Sequence, residues 1–587
     1  MTDDLDLTAN ARTVLDRRYL RKDEKGEVVE TPAEMMHRVA RVVAASEAKH
    51  GGNPAAWTER FERALRDLDF LPNSPTLMNA GTELGNLAAC FVVPVPDTME
   101  GIFEALKRMA LIHQTGGGTG FAFSRLRPKN DVVASTGGIA SGPVSFMDVF
   151  DAATDVVKQG GRRRGANMAI LRVEHPDILE FIAAKSDERR LRNFNISVAV
   201  TDDFMRAVAA DTTYPLVNPR TGATVRELRA REVFDHIVDM AWRTGDPGLV
   251  FIDEINRANP TPLAGAMEAT NPCGEQALLP YEACNLGSVN LARFVREGEV
   301  DWARLGEVID LAVRFLDDVI DAARYPFPEI EAMVRANRKV GLGVMGFAEM
   351  LIRLGIPYTA PAALEMAERL AAFVEARAHA ASRALAAERG PFPAFALSRW
   401  AERGAPIRNA TVTTVAPTGT ISMIAGTTSG IEPLYAVAYV RNVLGGEQLL
   451  EVNPLFEAEA RRLGVLSNAL LRRILREGSV ARVEEVPEPL RRLFVTAADV
   501  PPEWHVRIQA AFQGHCDNGV SKTVNLPFEA TPAEVRRVYE LAWELRCKGI
   551  TVFRSGCKGA QVLAQTTDAD AALRFPEGGD VCHTCVS

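Results

Sequence analysis

The chain has 587 residues, 47% of them hydrophobic and 24% charged, with a formal net charge of −9. This is the composition of a globular protein with a sizeable core, long enough for about four average domains or for one large α/β barrel with a smaller helical domain. The acidic balance argues against a non-specific nucleic-acid binder, although it leaves room for a local basic phosphate site. No apolar run reaches membrane-spanning length, and Met1-Thr2-Asp3-Asp4-Leu5-Asp6 is acidic where a secretion signal would be basic. No membrane partner and a cytoplasmic location are therefore expected.

Eight cysteines are too few for a disulfide scaffold in a chain of this length. In a reducing compartment they read as core, catalytic or metal-binding residues. Only Cys582-His583-Thr584-Cys585 has C-x-x-C spacing. Zinc would need two further ligands, so a redox dithiol near the chain end is the better reading and no metal site is assigned.

In chain order, residues 1 to about 70 read as helical. Thr31-Pro32-Ala33-Glu34 is a capping box with proline at the first helical position, and Met35, Met36, Val39, Val42 and Val43 follow on one face. Asn73 to Gly81 is turn-rich and dense in hydroxyls and amides. Leu87 to Val93 reads as a buried strand carrying Cys90, and a helix is expected from about Met99 to His113. The cluster Thr115-Gly116-Gly117-Gly118-Thr119-Gly120 is not a Walker A loop. It is either a tight turn before a strand at 121–123 or a place of close backbone approach to a ligand.

Two glycine-rich polar loops follow, at 134–142 and 158–167. The second, with Lys158, Arg162, Arg163 and Arg164 among glycines, is a cationic loop suited to phosphate. Ile196 to Val200 reads as a strand. Residues 302–322 and 361–389 show helical periodicity, the second closed by Gly390-Pro391. Thr411 to Val415 is a β-branched strand running into Pro417-Thr418-Gly419-Thr420-Ile421-Ser422, whose hydroxyls and N–H groups are suited to a phosphate.

The stretch with the most chemistry is Asn271-Pro272-Cys273-Gly274-Glu275, followed by Cys284. Proline and glycine disfavour a helix here, so the segment is expected to be extended, with amide, thiol and carboxylate at i, i+2 and i+4 on one face. Taken alone, the same residues also describe a buried structural cysteine beside a solvated carboxylate.

Six segments together resemble, in order, the catalytic subunit of ribonucleotide reductases. They are N-S-P-T-L-M-N-A-G at 73–81, A-C-F at 89–91, Q-G-G-R-R-R-G-A at 159–166, N-P-C-G-E at 271–275, C-N-L-G-S-V-N-L at 284–291 and A-P-T-G-T-I-S at 416–422. The likeness is greatest to the adenosylcobalamin-dependent class. It implies a helical domain over 1–85, then an α/β barrel over 86–555 of ten strands in two antiparallel five-stranded halves. A finger loop near 271–284 would lie inside the barrel, and a flexible tail would span 556–587.

The resemblance also implies roles. Cys273 would carry the thiyl radical, Glu275 would take the 3′-hydroxyl proton, and Asn271 would orient that side of the sugar. Cys90 and Cys284 would supply the reducing equivalents, and the tail pair Cys582 and Cys585 would reopen their disulfide by exchange with a thioredoxin- or glutaredoxin-like protein. Ser74, Ala89, Gly118, Pro272, Gly274 and Pro417, Thr418, Gly419, Thr420 and Ile421 match substrate-contacting positions. Asp97, Lys158, Arg162, Arg163 and Arg164 match a site for deoxynucleotide or ATP effectors at a homodimer interface. The N-terminal segment is too short for the extra nucleotide-binding cone of some relatives.

Relatives that use a separate metal subunit pass the radical through two stacked tyrosines. Val552 and Phe553 stand at those positions, which favours adenosylcobalamin as the radical source. The rival readings are that same chemistry with a metal subunit, a non-catalytic nucleotide-binding regulator, and an interaction protein with a zinc-binding tail. The substrate leans towards a ribonucleoside diphosphate.

Overall fold

The computed structural model describes residues 5–133, 137–159, 163–442 and 448–558. Its centre is a closed ring of nine strands and one extended segment. The strands are β1 (Cys90–Val92), β2 (Gly118–Ala122), β3 (Asn167–Arg172), β4 (Phe194–Val200), β5 (Gly248–Phe251), β6 (Ala283–Asn290), β7 (Val340–Met345), β8 (Thr523–Leu526) and β9 (Gly549–Arg554). From β1 to β5 each strand runs parallel to the next. β5 then meets β9 antiparallel, and β9 is parallel to β8.

Segment 411–415 fills the gap between β8 and β7. Val415 bridges Val520 in parallel, and Thr413 bridges Leu342. β7 is parallel to β6, and β6 returns antiparallel to β1 and closes the ring. Two parallel halves of five therefore face in opposite directions, as the resemblance implied. The β-branched stretch at 411–415 was expected to be a strand, and it is held as one member of the ring.

Strand alternation decides what the ring contains. Phe91, Phe121, Ala169, Leu171, Leu249 and Phe251 face the large outer core under the helices. Cys90, Val92, Ala122, Met168, Ile170, Val250, Cys284 and Leu286 face the inner core, with Ala269, Ala277 and Leu278 of a hairpin lying inside. Both redox-candidate thiols thus point inward because of where they fall in the two-residue period.

That hairpin joins Ala269–Thr270 to Ala277–Leu278 and carries 271–276 at its tip. It fits because two residues of β2 lack side chains. A Cβ at Gly120 would lie 1.7 Å from the Thr270 carbonyl oxygen, and one at Gly118 would lie 2.9 Å from the Pro272 ring. The glycine cluster was read as a turn or as an approach to a ligand. Its last two glycines instead admit the hairpin, while Thr115 and Gly116 end the helix Met99–Gln114.

Helices cover the outside. Trp302–Ala322 and Pro361–Arg389 occupy almost the spans read from periodicity. Pro32–Ala44 begins with the expected reciprocal capping box of Thr31 and Glu34 and buries Met35, Met36, Val39 and Val43. This N-terminal bundle is joined to the barrel's helices through buried charge. Glu47 pairs with Arg314 and Arg389, and Arg389 also reaches Asp317 and Asp318. Buried ions are tolerated when they are paired and hydrogen-bonded. On the other side, the Asp517 carboxylate accepts from Val412 N and Thr413 N and pairs with His379, which fixes segment 411–415.

Gly120→Ala is expected to cost about 1–3 kcal/mol of stability, because the clash is with backbone that cannot swing aside. Gly514→Ala, where a new Cβ meets nothing closer than 3.6 Å, is the control. Denaturant unfolding of both variants measures the difference.

Candidate active site

The tip of the hairpin is a turn, which corrects the expected extended segment. Gly274 N donates to Asn271 O at 3.1 Å, and Gly274 has a φ of +82°. Proline at the second place and glycine at the fourth are what a tight turn of this kind prefers, so the residues that exclude a helix here build a turn instead. The three side chains consequently diverge. Cys273 sits exposed at the apex, while Asn271 and Glu275 are buried at its base.

The tip is held from both halves of the ring. Asn271 Oδ1 accepts from Gln276 N at 3.0 Å. The Glu275 carbonyl accepts from Gly519 N at 2.7 Å and from Thr414 Oγ1 at 3.1 Å. Across the ring, Asn195 Nδ2 on β4 donates to the Pro272 carbonyl at 2.8 Å. Sequence reasoning missed Asn195, Thr414 and Gly519. The glycine after Asp517-Asn518 marks a turn, but nothing local shows that Gly519 faces the finger.

Cys90 and Cys284 are direct register partners on β1 and β6. Opposed residues of an antiparallel pair have Cα atoms about 4.5–5.5 Å apart, within the span a disulfide needs. Both are free thiols here. Asn271 Nδ2 donates to Cys90 Sγ at 3.1 Å, tying the redox pair to the finger. Cys284 Sγ donates to Asn285 O at 3.3 Å, close to the buried pair Lys339–Glu282.

Burial governs the protonation of this site. It pushes the Cys90 thiol well up, reinforced by the Glu275 carboxylate, and it pushes Cys284 up although Lys339 pulls the other way. Both thiols therefore keep their hydrogens at neutral pH. Burial also raises the Glu275 carboxyl to about 7, against the opposing hydrogen bond from Asn271. Its Oε2 has no hydrogen-bond partner among the described residues. A carboxyl half-ionised near neutrality with a spare oxygen is poised as a general base.

Cys273 lies on the wall of a cavity of about 810 Å³, together with Asn195, Ser197, Pro417, Val552 and Phe553. Pro417 precedes Thr418, which takes a φ of +54° and whose Oγ1 accepts from Gly430 N at 2.7 Å. That bond fixes the turn into the short helix Gly419–Ala425, which contains Gly419, Thr420 and Ile421.

The other expected contact residues are placed as follows. Ser74 shares a 2.7 Å hydrogen bond with the Tyr19 hydroxyl. Ala89 bonds through its backbone to Cys284 and Gly118. Gly118 is packed against Pro272. Asp97 is paired with Arg127 at 2.8 Å. Lys158–Gln159 and Arg163–Arg164 form a two-stranded hairpin where a loop was expected. Arg162, Cys582 and Cys585 lie outside the described residues.

The raised Glu275 carboxyl gives a pH test. A group raised on folding contributes stability that is complete below its ordinary value near 4.5 and is lost as pH rises through about 7. Glu275→Gln removes that dependence. The wild type is expected to lose roughly 3 kcal/mol relative to the variant between pH 5 and 8. Unfolding of both proteins at the two pH values measures this.

The family model "Ribonucleotide reductase, barrel domain" matches residues 88–553, and "Ribonucleotide reductase, all-alpha domain" matches residues 5–85. A vitamin B12-dependent ribonucleoside-diphosphate reductase of Mycobacterium tuberculosis is 55% identical over 589 residues, covering 99% of this chain and 85% of that protein. Its counterpart in Thermoplasma acidophilum is 50% identical over 637 residues, covering 99% and 82%. Among solved structures, the Actinobacillus ureae class Id ribonucleotide reductase alpha subunit superposes with a TM-score of 0.77 at 22% identity, covering 94% of this chain and 97% of that one. With a ten-membered ring, an internal finger and two opposed inward thiols already in place, the chain belongs to the ribonucleotide reductase family.

Proposed function

We propose that this chain reduces ribonucleoside diphosphates to 2′-deoxyribonucleotides through a thiyl radical on Cys273, using adenosylcobalamin bound in the same chain. The observation that carries the reading is the set Cys273, Glu275 and the Cys90–Cys284 register pair gathered around one finger. The relatives named vitamin B12-dependent ribonucleoside-diphosphate reductases support both the cofactor and the diphosphate substrate. A non-catalytic nucleotide sensor has no need of two inward thiols held protonated in register.

The residues beside Cys273 fit a large cofactor. The cavity wall there includes Gly248, Gly549, Val552 and Phe553, which are small or apolar, and polar groups among which are Asn195, Ser197, Gln509 and Lys522. The wall at 552–553 has no phenol to relay a radical from another subunit. Tyr435 is the one tyrosine on the wall among the described residues. When bound, adenosylcobalamin supplies an unpaired electron by homolysis of its cobalt–carbon bond.

The chain's own residues account for the remaining steps. The Cys273 sulfur takes the 3′-hydrogen atom and later returns it. The spare oxygen of Glu275 accepts the 3′-hydroxyl proton. Replacing the 2′-hydroxyl with hydrogen and releasing water needs two electrons and two protons, and two thiols closing to one disulfide supply that number. Burial serves this chemistry twice, because it keeps the thiols as S–H and excludes water from the intermediate. Thr418 and the backbone of 419–421 hold substrate phosphate.

The partner readings rest on other parts of the surface. Exposed Met99 and Phe103 on the helix Met99–Gln114, and Val149 and Val156 on the helix Pro143–Val156 that packs against it, offer apolar surface for a second copy of the chain. Asp97, held by Arg127, is the described residue that supports an effector site. Cys582 and Cys585 are the exchange pair for a thioredoxin- or glutaredoxin-like reductant. A cytoplasmic setting goes with that chemistry.

The purified chain is expected to reduce a ribonucleoside diphosphate when given adenosylcobalamin and a dithiol, with no added protein. Cys273→Ala is expected to abolish turnover by at least a thousandfold while retaining nucleotide binding, both measured on the same preparation. Turnover that needed a metal subunit would exclude the cofactor reading and leave the thiol chemistry standing. The double variant Cys582→Ser, Cys585→Ser is expected to keep activity with a small dithiol and lose it with a protein reductant. Equal loss with both reductants would point to a structural tail.

A further inference from the structure

The finger tip is clamped unequally on its two sides. On the Glu275 side, the Glu275 carbonyl receives a backbone N–H from Gly519 and a hydroxyl from Thr414. A Cβ at Gly519 would lie 2.8 Å from the Gly274 carbonyl oxygen, so the backbones there are already in close contact. On the other side, the Pro272 ring rests against Gly118, a contact that fixes position but not rotation. The Pro272 carbonyl receives the Asn195 amide at 2.8 Å.

That carbonyl belongs to the peptide joining Pro272 to Cys273. Its direction sets the plane of the peptide bond leading into the apex, and therefore where the Cys273 thiol points. Asn195 reaches it because of strand alternation. Phe194, Ile196 and Val198 of β4 face the outer core, so 195, 197 and 199 face inward. Asn195 and Ser197 share the cavity wall with Cys273.

We infer that Asn195 is a positioning residue for the radical cysteine: its amide holds the 272–273 peptide so that the Cys273 sulfur faces the cavity. The inference rests on Cys273 being the reacting thiol. A hydrogen-atom transfer depends steeply on separation, and an error of about 1 Å in placing a reacting group costs on the order of 100-fold in rate.

The test compares three substitutions in the cobalamin-loaded chain. Asn195→Leu removes the donor at similar size. Asn195→Asp keeps the shape but turns an acceptor towards the carbonyl. Asn195→His returns a donor, because its Nδ1 stands close to where the amide nitrogen stood. Two quantities are read for each, the kcat and KM for nucleotide and the alkylation rate of Cys273 followed by peptide mapping without cofactor.

The expected result is a fall of about 100-fold in kcat for the Leu and Asp variants with KM within twofold. Their Cys273 alkylation rate should change severalfold, and the His variant should recover part of both. Unchanged kcat and alkylation in the Leu and Asp variants would overturn the inference, and so would a rise in KM alone, which would make Asn195 a substrate contact. If the Leu variant does not fold, the Asp variant decides the matter. Cys273→Ala in the same assay separates the two failures, because residual turnover in that variant would refute the radical assignment itself.

Discussion

Everything in this molecule depends on one steric allowance, that a β-hairpin can pass through the middle of a closed ring of strands. Interiors are packed too tightly to accept an extra pair of backbones unless side chains are missing where they cross. On one wall Gly118 and Gly120 supply the missing volume, and on the opposite wall Gly519 does so. The small inner residues Ala122, Ala199, Ala269 and Ala277 continue the pattern. With that space provided, the finger carries Cys273 to the cavity and Glu275 into the dry interior.

The second determinant is the low polarity that the finger creates around itself. In water a carboxyl near 4.5 would be ionised at neutral pH and too weak a base. Here the same group is raised to about 7. The thiols are affected in the same sense, so that they stay protonated and are not thiolates at neutral pH. One environment thus raises a carboxyl and keeps two thiols protonated, as the proposed base and hydrogen donors require. The Asn271 amide links the two functions, since it bonds Cys90 and moderates Glu275.

Much of this was legible in the sequence, for identifiable reasons. The long helices showed through periodicity, and the capping box at Thr31 marked a helix start within one residue. The reactive residues showed through their unusual company. Other features were hidden because they depend on neighbours distant in the chain. Gly120 reads as part of a turn until the Thr270 carbonyl is seen against it. Asn195 is an ordinary polar residue in a short strand until its amide is found on Pro272. Pro272 and Gly274 were rightly read as opposing a helix, but a turn and an extended strand make the same exclusion, and only the bond between residues 271 and 274 separates them.

The order of the strands has a consequence for how the protein is made. In chain order the last seam to form is that of β5 with β9, and the Tyr539 hydroxyl that bonds the Pro247 carbonyl beside this seam is 292 residues further along the chain. Gly519, which clamps the finger, also belongs to this last part. During synthesis from the N-terminus, Cys273, Glu275 and both inward thiols leave the ribosome long before the wall that will enclose them. Contacts so distant in sequence are slow to form, and nothing earlier in the chain replaces them. A nascent or truncated chain can therefore hold Cys90, Cys273, Glu275 and Cys284 and still lack the wall that encloses them. The enclosure on which the proposed radical chemistry depends is complete only once translation has passed the final strand.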